Sequence, residues 1–197
     1  MSAAIVTNQP APVAPGTRSR IGAWVVIAGI VMLFTALTSA YIVRSASSND
    51  WRQIAVPKIL WLSTALILIS SLTMEIARRS LKRQSDRGYG RWLMITMTLG
   101  LAFLGTQFFA WRQLARQGVY MASNPYNSFF YLFTATHGLH LFGGILGLGY
   151  LLVRTTRKRA TVEGELRRAG AADAGTIYWH FMDALWIALF FLLFFWK

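Results

Sequence analysis

Two histidines three residues apart, His137 and His140, interrupt the apolar stretch "FFYLFTATHGLHLFGG", residues 129–144. On a helix they share one face. His180 and Asp183 repeat the spacing in "YWHFMDALW". Three imidazoles and a carboxylate suit iron, copper or zinc, haem ligation, or the relay of a proton. A shared metal or bis-histidine haem needs ligands from different helices at one depth. At about 1.5 Å of rise per residue, His140 stands roughly 20 Å from one end of its apolar segment, and Asp183 roughly 10 Å from the same surface. That offset argues against a joint site. The expectation is no metal, no haem and no catalytic residue in this chain, with these side chains in packing, proton-linked or lipid-linked roles.

The elements that carry them are read from hydropathy. The chain has 197 residues, of which 55% are hydrophobic and only 14% charged. Five stretches, about Ile21–Val43, Ile59–Ala77, Trp92–Trp111, Phe129–Val153 and Thr176–Trp196, reach the roughly 20 apolar residues that a bilayer crossing needs. Backbone groups in lipid must be satisfied within the segment, so these are helices, and no period-two alternation suggests a barrel. The fold class is all-α, a polytopic membrane protein with five transmembrane helices. Residues 1–20, with three prolines and no hydrophobic run, read as a flexible tail, and 21–197 as one membrane domain. The first span is too long for a cleaved signal peptide.

A net charge of +13 would point to nucleic acid in a soluble domain, but the positive residues alternate with the spans. Of the 20 Lys and Arg, 14 lie in the tail and in segments 78–91 and 154–175. Positive charge stays on the cytoplasmic side, which places the N-terminus inside and the C-terminus outside and removes any need for a nucleic-acid partner. The chain has no cysteine, which excludes disulfides, covalent c-type haem and iron–sulfur clusters.

The remaining intramembrane polar groups are few, as their cost requires. Glu75 can pair with Arg78 and Arg79 on its own helix. Gln107 and Trp111 share a face and should hydrogen-bond a neighbouring helix. Gly143 and Gly147 form a GxxxG pair and Gly144 adds a second small surface, so close helix contact is expected there.

Together the motifs resemble subunit III of the haem–copper oxidases, the cytochrome c oxidase family, in its short five-helix form. "FFYLFTATHGLHLFGG" and "YWHFMDALWIALF" match the two signature helices, and "LWLSTALILISSLTMEIARR", "GLAFLGTQFFAWRQL" and "NPYNSFFY" match successive upstream segments, from Gly22 to Trp196. The resemblance implies a subunit without a redox centre, with haem and copper in partner subunits I and II of a complex that reduces oxygen and translocates protons. It implies packing beside subunit I, bound phospholipid, support of proton uptake, and residence in the bacterial inner membrane, within a larger respiratory supercomplex in some cases. His137 and His140 match the family HxxH, and His180, Asp183 and Trp186 its HFxDxxW signature. Arg154 matches an arginine that holds a lipid phosphate. One position departs: Ile30 stands where relatives usually carry a buried acid, so that acid's role does not transfer. A quinol oxidase or nitric oxide reductase subunit is the alternative assignment.

Overall fold

A computed structural model of the chain describes residues 15–47, 49–51, 57–155 and 162–196. It contains five helices: α1 (Pro15–Ser47), α2 (Ile59–Lys82), α3 (Asp86–Arg116), α4 (Pro125–Thr155) and α5 (Val162–Phe195). All five are long and apolar enough to cross a membrane, and no strand occurs among the described residues.

Local chemistry sets several of the boundaries. Between α2 and α3, Gln84 adopts a left-handed φ of 57°, and the Ser85 hydroxyl caps α3 by accepting from the Gly88 amide at 3.3 Å. Asp86 in the first turn complements the helix dipole. Gly118, at φ +77°, follows the end of α3 where a side chain would be strained. The Asn124 side chain then accepts from the Tyr126 amide, and Pro125 occupies the first helical position of α4, where its missing N–H costs nothing.

All five helices run past the limits that hydropathy suggests, furthest at the starts of α1, α3 and α5. α1 begins at Pro15, inside the stretch read as a tail, while residues 1–14 fall outside the described residues. α3 starts at Asp86, six residues before the apolar segment, and α5 at Val162, fourteen before it. Hydropathy marks only the part of a helix that faces lipid. The 34 residues of α5 measure about 51 Å, against a hydrocarbon core of about 30 Å. Its polar first turns dock on the α2–α3 hairpin. Arg168, nearly buried, pairs with Asp86 at 3.2 Å and lies over the Tyr89 ring at 5.5 Å; Asp173 accepts from Arg78 at 2.9 Å.

In the bundle, α2 packs between α3 and α5, α4 also touches both, and α1 lies along α5 and α4. The buried core runs the full length of the contact, from Ala77, Tyr89 and Ala172 at one end to Tyr41, Tyr126 and Leu193 at the other.

Candidate functional site

The centre of the bundle is built by hydroxyls on α2. Ser63 and Ser70 are seven residues apart, as are Thr64 and Ser71, so each pair recurs after two turns on one face. Each of Ser63, Thr64 and Ser70 donates its proton to a carbonyl of its own helix, at 2.7–2.9 Å. The oxygen is left as an acceptor facing a neighbour, so the complementary group has to be a donor. Gln107 of α3 donates to Ser63 at 3.1 Å. On α5, Trp186 donates to Thr64 at 3.0 Å and Trp179 to Ser70 at 3.1 Å. The same device joins α3 to α4, where Trp111 donates to Thr134 at 3.1 Å and Thr134 donates back to Phe130. In lipid such cross-helix bonds contribute about 0.6–2 kcal/mol each. The hydrogen bonds expected of Gln107 and Trp111 are thus present. The hydroxyl ladder is the feature that motif reading passed over; the seven-residue spacing was its signal.

The signature residues surround this ladder. His137 is fully buried, its ring 5.2 Å from Trp186 and 5.8 Å from Phe103, with neither nitrogen hydrogen-bonded. His140 faces α1: it donates from Nδ1 to its own Thr136 carbonyl at 2.7 Å and meets the Phe34 ring edge-on at 6.0 Å. His180 faces α2 instead, sharing a 2.7 Å hydrogen bond with Ser71. Asp183 is 3% exposed, where a carboxyl calls for hydrogen bonds from His180 or from a neighbouring helix. The Ser71 hydroxyl lies beside it and shares its hydrogen bond with His180, and neither Asp183 oxygen meets a donor within hydrogen-bonding geometry. Toward the helix end the seam continues through Glu75, which pairs with Arg79 at 3.0 Å and Arg78 at 3.7 Å as expected; Arg78 also reaches across to α5.

The depth offset between His140 and Asp183 is absent. Tyr126 donates to the Leu193 carbonyl, His137 lies on Trp186, Gly144 meets Tyr178 and Trp179, and Gly175 meets Leu151. This antiparallel register sets residue 140 at about the height of residue 183. The sequence estimate failed because α5 starts far outside the apolar segment, so distance from the segment's end is not depth. Direction, not depth, keeps these side chains apart. His140 turns to α1 and His180 to α2, and among the described residues no three His, Cys, Asp or Glu converge on a point. The three-ligand set that a shared metal ion would need is therefore not assembled among these four side chains.

The glycines divide differently from expectation. Only Gly144 of the α4 group is in tight contact: a Cβ there would lie 2.9 Å from the Tyr178 ring. Gly143 and Gly147 have nothing within 4 Å. Instead of a helix they face a groove of about 500 Å³ between α1, α4 and α5, bordered by Ala23, Val26, Tyr150 and Tyr178. Tyr178 turns its hydroxyl to the His140 carbonyl at 2.8 Å, which holds α5 across the groove floor. Arg154 lies over the Tyr150 ring at 5.5 Å, beside the groove's end, and has no carboxylate partner among the described residues. Arg157, Lys158 and Arg159 fall outside the described residues.

A family model for cytochrome c oxidase subunit III matches residues 4–197, the whole of the membrane bundle. The chain belongs to that family. A probable cytochrome c oxidase subunit 3 of Nocardia farcinica is 31% identical over 179 residues, spanning 86% of this chain and 84% of that protein. A protein of the same description from Mycobacterium tuberculosis H37Rv is 32% identical, with 89% and 86% covered. A quinol oxidase subunit 3 of Bacillus subtilis is 26% identical, with 89% and 85% covered. As a subunit III, the chain is a multi-pass membrane subunit of a haem–copper oxidase, and its function is exercised in a complex with other oxidase subunits. Within this subunit III, Ile30 is 3% exposed and belongs to the apolar core, close to the level of His140 through its neighbour Phe34. A carboxyl at that position would need a polar partner, and Ile30 removes the need.

Proposed function

We propose that the chain is the accessory, non-redox subunit III of an aerobic bacterial cytochrome c oxidase. It packs beside subunit I, holds phospholipid against α4, and sustains proton uptake and stability while subunits I and II carry haem and copper. The observation that carries this reading is the match of the entire bundle to the family, joined to the cross-helix hydrogen bonds of Gln107, Trp111, Trp179 and Trp186 that hold the bundle together. Large apolar side chains on the outer faces, Trp24, Val25 and Met32 of α1 and Phe108 and Phe109 of α3 among them, provide area for a neighbouring subunit and for lipid. The charge bias places the N-terminus and segments 78–91 and 154–175 in the cytoplasm of the inner-membrane topology. A quinol oxidase is the second reading, supported by the quinol oxidase subunit 3 of B. subtilis.

A tag fused after Lys197 tests assignment and orientation together. The tag is expected to be accessible from outside intact cells and to retrieve a complex containing haem and copper that consumes oxygen with reduced cytochrome c. Retrieval of this chain without haem overturns the assignment, a tag reachable only from the cytoplasm overturns the orientation, and turnover with quinol alone selects the second reading.

The lipid role rests on Arg154. A half-buried guanidinium at a helix end, without a carboxylate, matches a headgroup phosphate in charge and in hydrogen-bond geometry. Arg154→Ala should lose about one phospholipid per complex and inactivate sooner during sustained turnover, with the initial rate preserved. Unchanged lipid content and unchanged inactivation in a quantitative lipid and turnover assay would remove Arg154 from the site.

A further inference from the structure

On the other side of α4 lies a larger depression that the lipid role of Arg154 does not use. It is an open trough of about 940 Å³ between α3 and α4, walled by Met94, Ile95 and Leu99 on α3 and Leu152 on α4. Gly90 lies next to Leu152 and Thr155, which brings the helices together at one end. The polar atoms along the wall are already satisfied: Thr98 donates to the Met94 carbonyl and Thr155 to the Leu152 carbonyl. What remains is an apolar surface open to the membrane, with Met94 52% and Ile95 38% exposed.

The mouth carries Asp86, Arg87 and Arg91, and the one carboxylate among them is engaged by Arg168. Arg87 and Arg91, one turn apart on α3, both line the trough and are both exposed. Neither pairs with a carboxylate among the described residues, whereas the adjacent Asp86 is bound to Arg168. Two guanidiniums thus stand uncompensated above an apolar wall. From Arg87 to Leu99 the trough runs about 18 Å along α3, close to the depth of one leaflet of a bilayer whose core is about 30 Å thick. Cation pair, apolar wall and length together match one molecule type: a phosphate diester with a net negative headgroup and an acyl chain below it.

We propose that the α3–α4 trough binds one anionic phospholipid, its phosphate between Arg87 and Arg91 and an acyl chain along Met94, Ile95, Leu99 and Leu152. The two guanidiniums supply forked donors to the phosphate oxygens, and the headgroup's remaining charge supplies preference over zwitterionic lipid. The site is separate from that of Arg154, which belongs to the face of α4 bearing Tyr150.

The purified oxidase complex, stripped of lipid and returned to micelles doped with phosphatidylglycerol or phosphatidylcholine, tests this by native mass spectrometry. Wild type should prefer phosphatidylglycerol by roughly thirtyfold, the scale set by two basic side chains at about 1 kcal/mol each. R87Q/R91Q should abolish the preference while leaving the Arg154-dependent lipid and the haem spectrum intact. I95W, which fills the trough and keeps both arginines, should lose the bound lipid as well. Retention of phosphatidylglycerol in both variants overturns the proposal. So do displacement of the lipid by inorganic phosphate alone and crosslinks that place a partner-subunit helix in the trough.

Discussion

Trp179→Ala is expected to destabilise the solubilised protein by about 3–5 kcal/mol, the cost of truncating a fully packed tryptophan. Trp179 has no exposed surface, donates to Ser70 of α2, and inserts its six-membered ring beside Gly100 of α3 and Gly144 of α4. One indole therefore ties α5 to three other helices, and truncation leaves a cavity bordered by all of them. Trp179→Phe, which keeps most of the volume and loses only the donor, should cost about 1–2 kcal/mol, with part of that from the orphaned Ser70 acceptor. Thermal denaturation in detergent, followed by helical circular dichroism, is the measurement. Equal stability for wild type and Trp179→Ala would mean that α5 is held by its outer turns, through Arg78, Asp86 and Arg168, and not by this ring.

The second large effect lies across the same contact. A Cβ at Gly100 would sit 2.8 Å from Cη2 and 3.1 Å from Cζ2 of Trp179, and 3.4 Å from Ile145. An indole buried on every side cannot retreat by rotamer change, so the helices would have to separate. Gly100→Val should therefore cost about 1–3 kcal/mol, the usual range for overpacking, and should weaken assembly with other subunits. Gly105 supplies the comparison on the same helix, having nothing within 4 Å. There Gly105→Ala should stabilise by up to about 1 kcal/mol through helix propensity alone. The same thermal assay separates them; equal shifts for the two variants would show that propensity, not packing, governs α3.

These contacts show how differently the two levels of description can be read. Gly100 and Gly143 are indistinguishable in composition and in apolar surroundings. One admits an indole, and the other opens on a groove, because only the azimuth of each helix decides which of its faces meets a neighbour. The GxxxG pair of Gly143 and Gly147 satisfies the spacing for close packing and is not packed. His180 and Asp183 illustrate the same limit. Their three-residue spacing places them on one side of α5, yet His180 is bonded to Ser71 of α2 and Asp183 meets no donor within hydrogen-bonding geometry.

What the sequence determines by itself is what the bilayer dictates residue by residue. Five apolar segments of sufficient length must be helices because lipid offers their backbone no other partner. The few polar groups within them stand out because each is costly, and the motif order from Gly22 to Trp196 carries the family. Pairings local to one helix, such as Glu75 with Arg78 and Arg79, are legible for the same reason: the partner lies within four residues. Tertiary structure alone decides depth, direction and partner. The polar first turns of α5 project past the apolar segment, so the height of Asp183 follows from the contacts of α5 with α2 and α4. Hydroxyls that donate back to their own helix become acceptors, and whether Trp186, Trp179 or Gln107 meets them depends on helix register. That register is set by interlocking side-chain volumes across four helices, a property of their joint packing that no single segment contains.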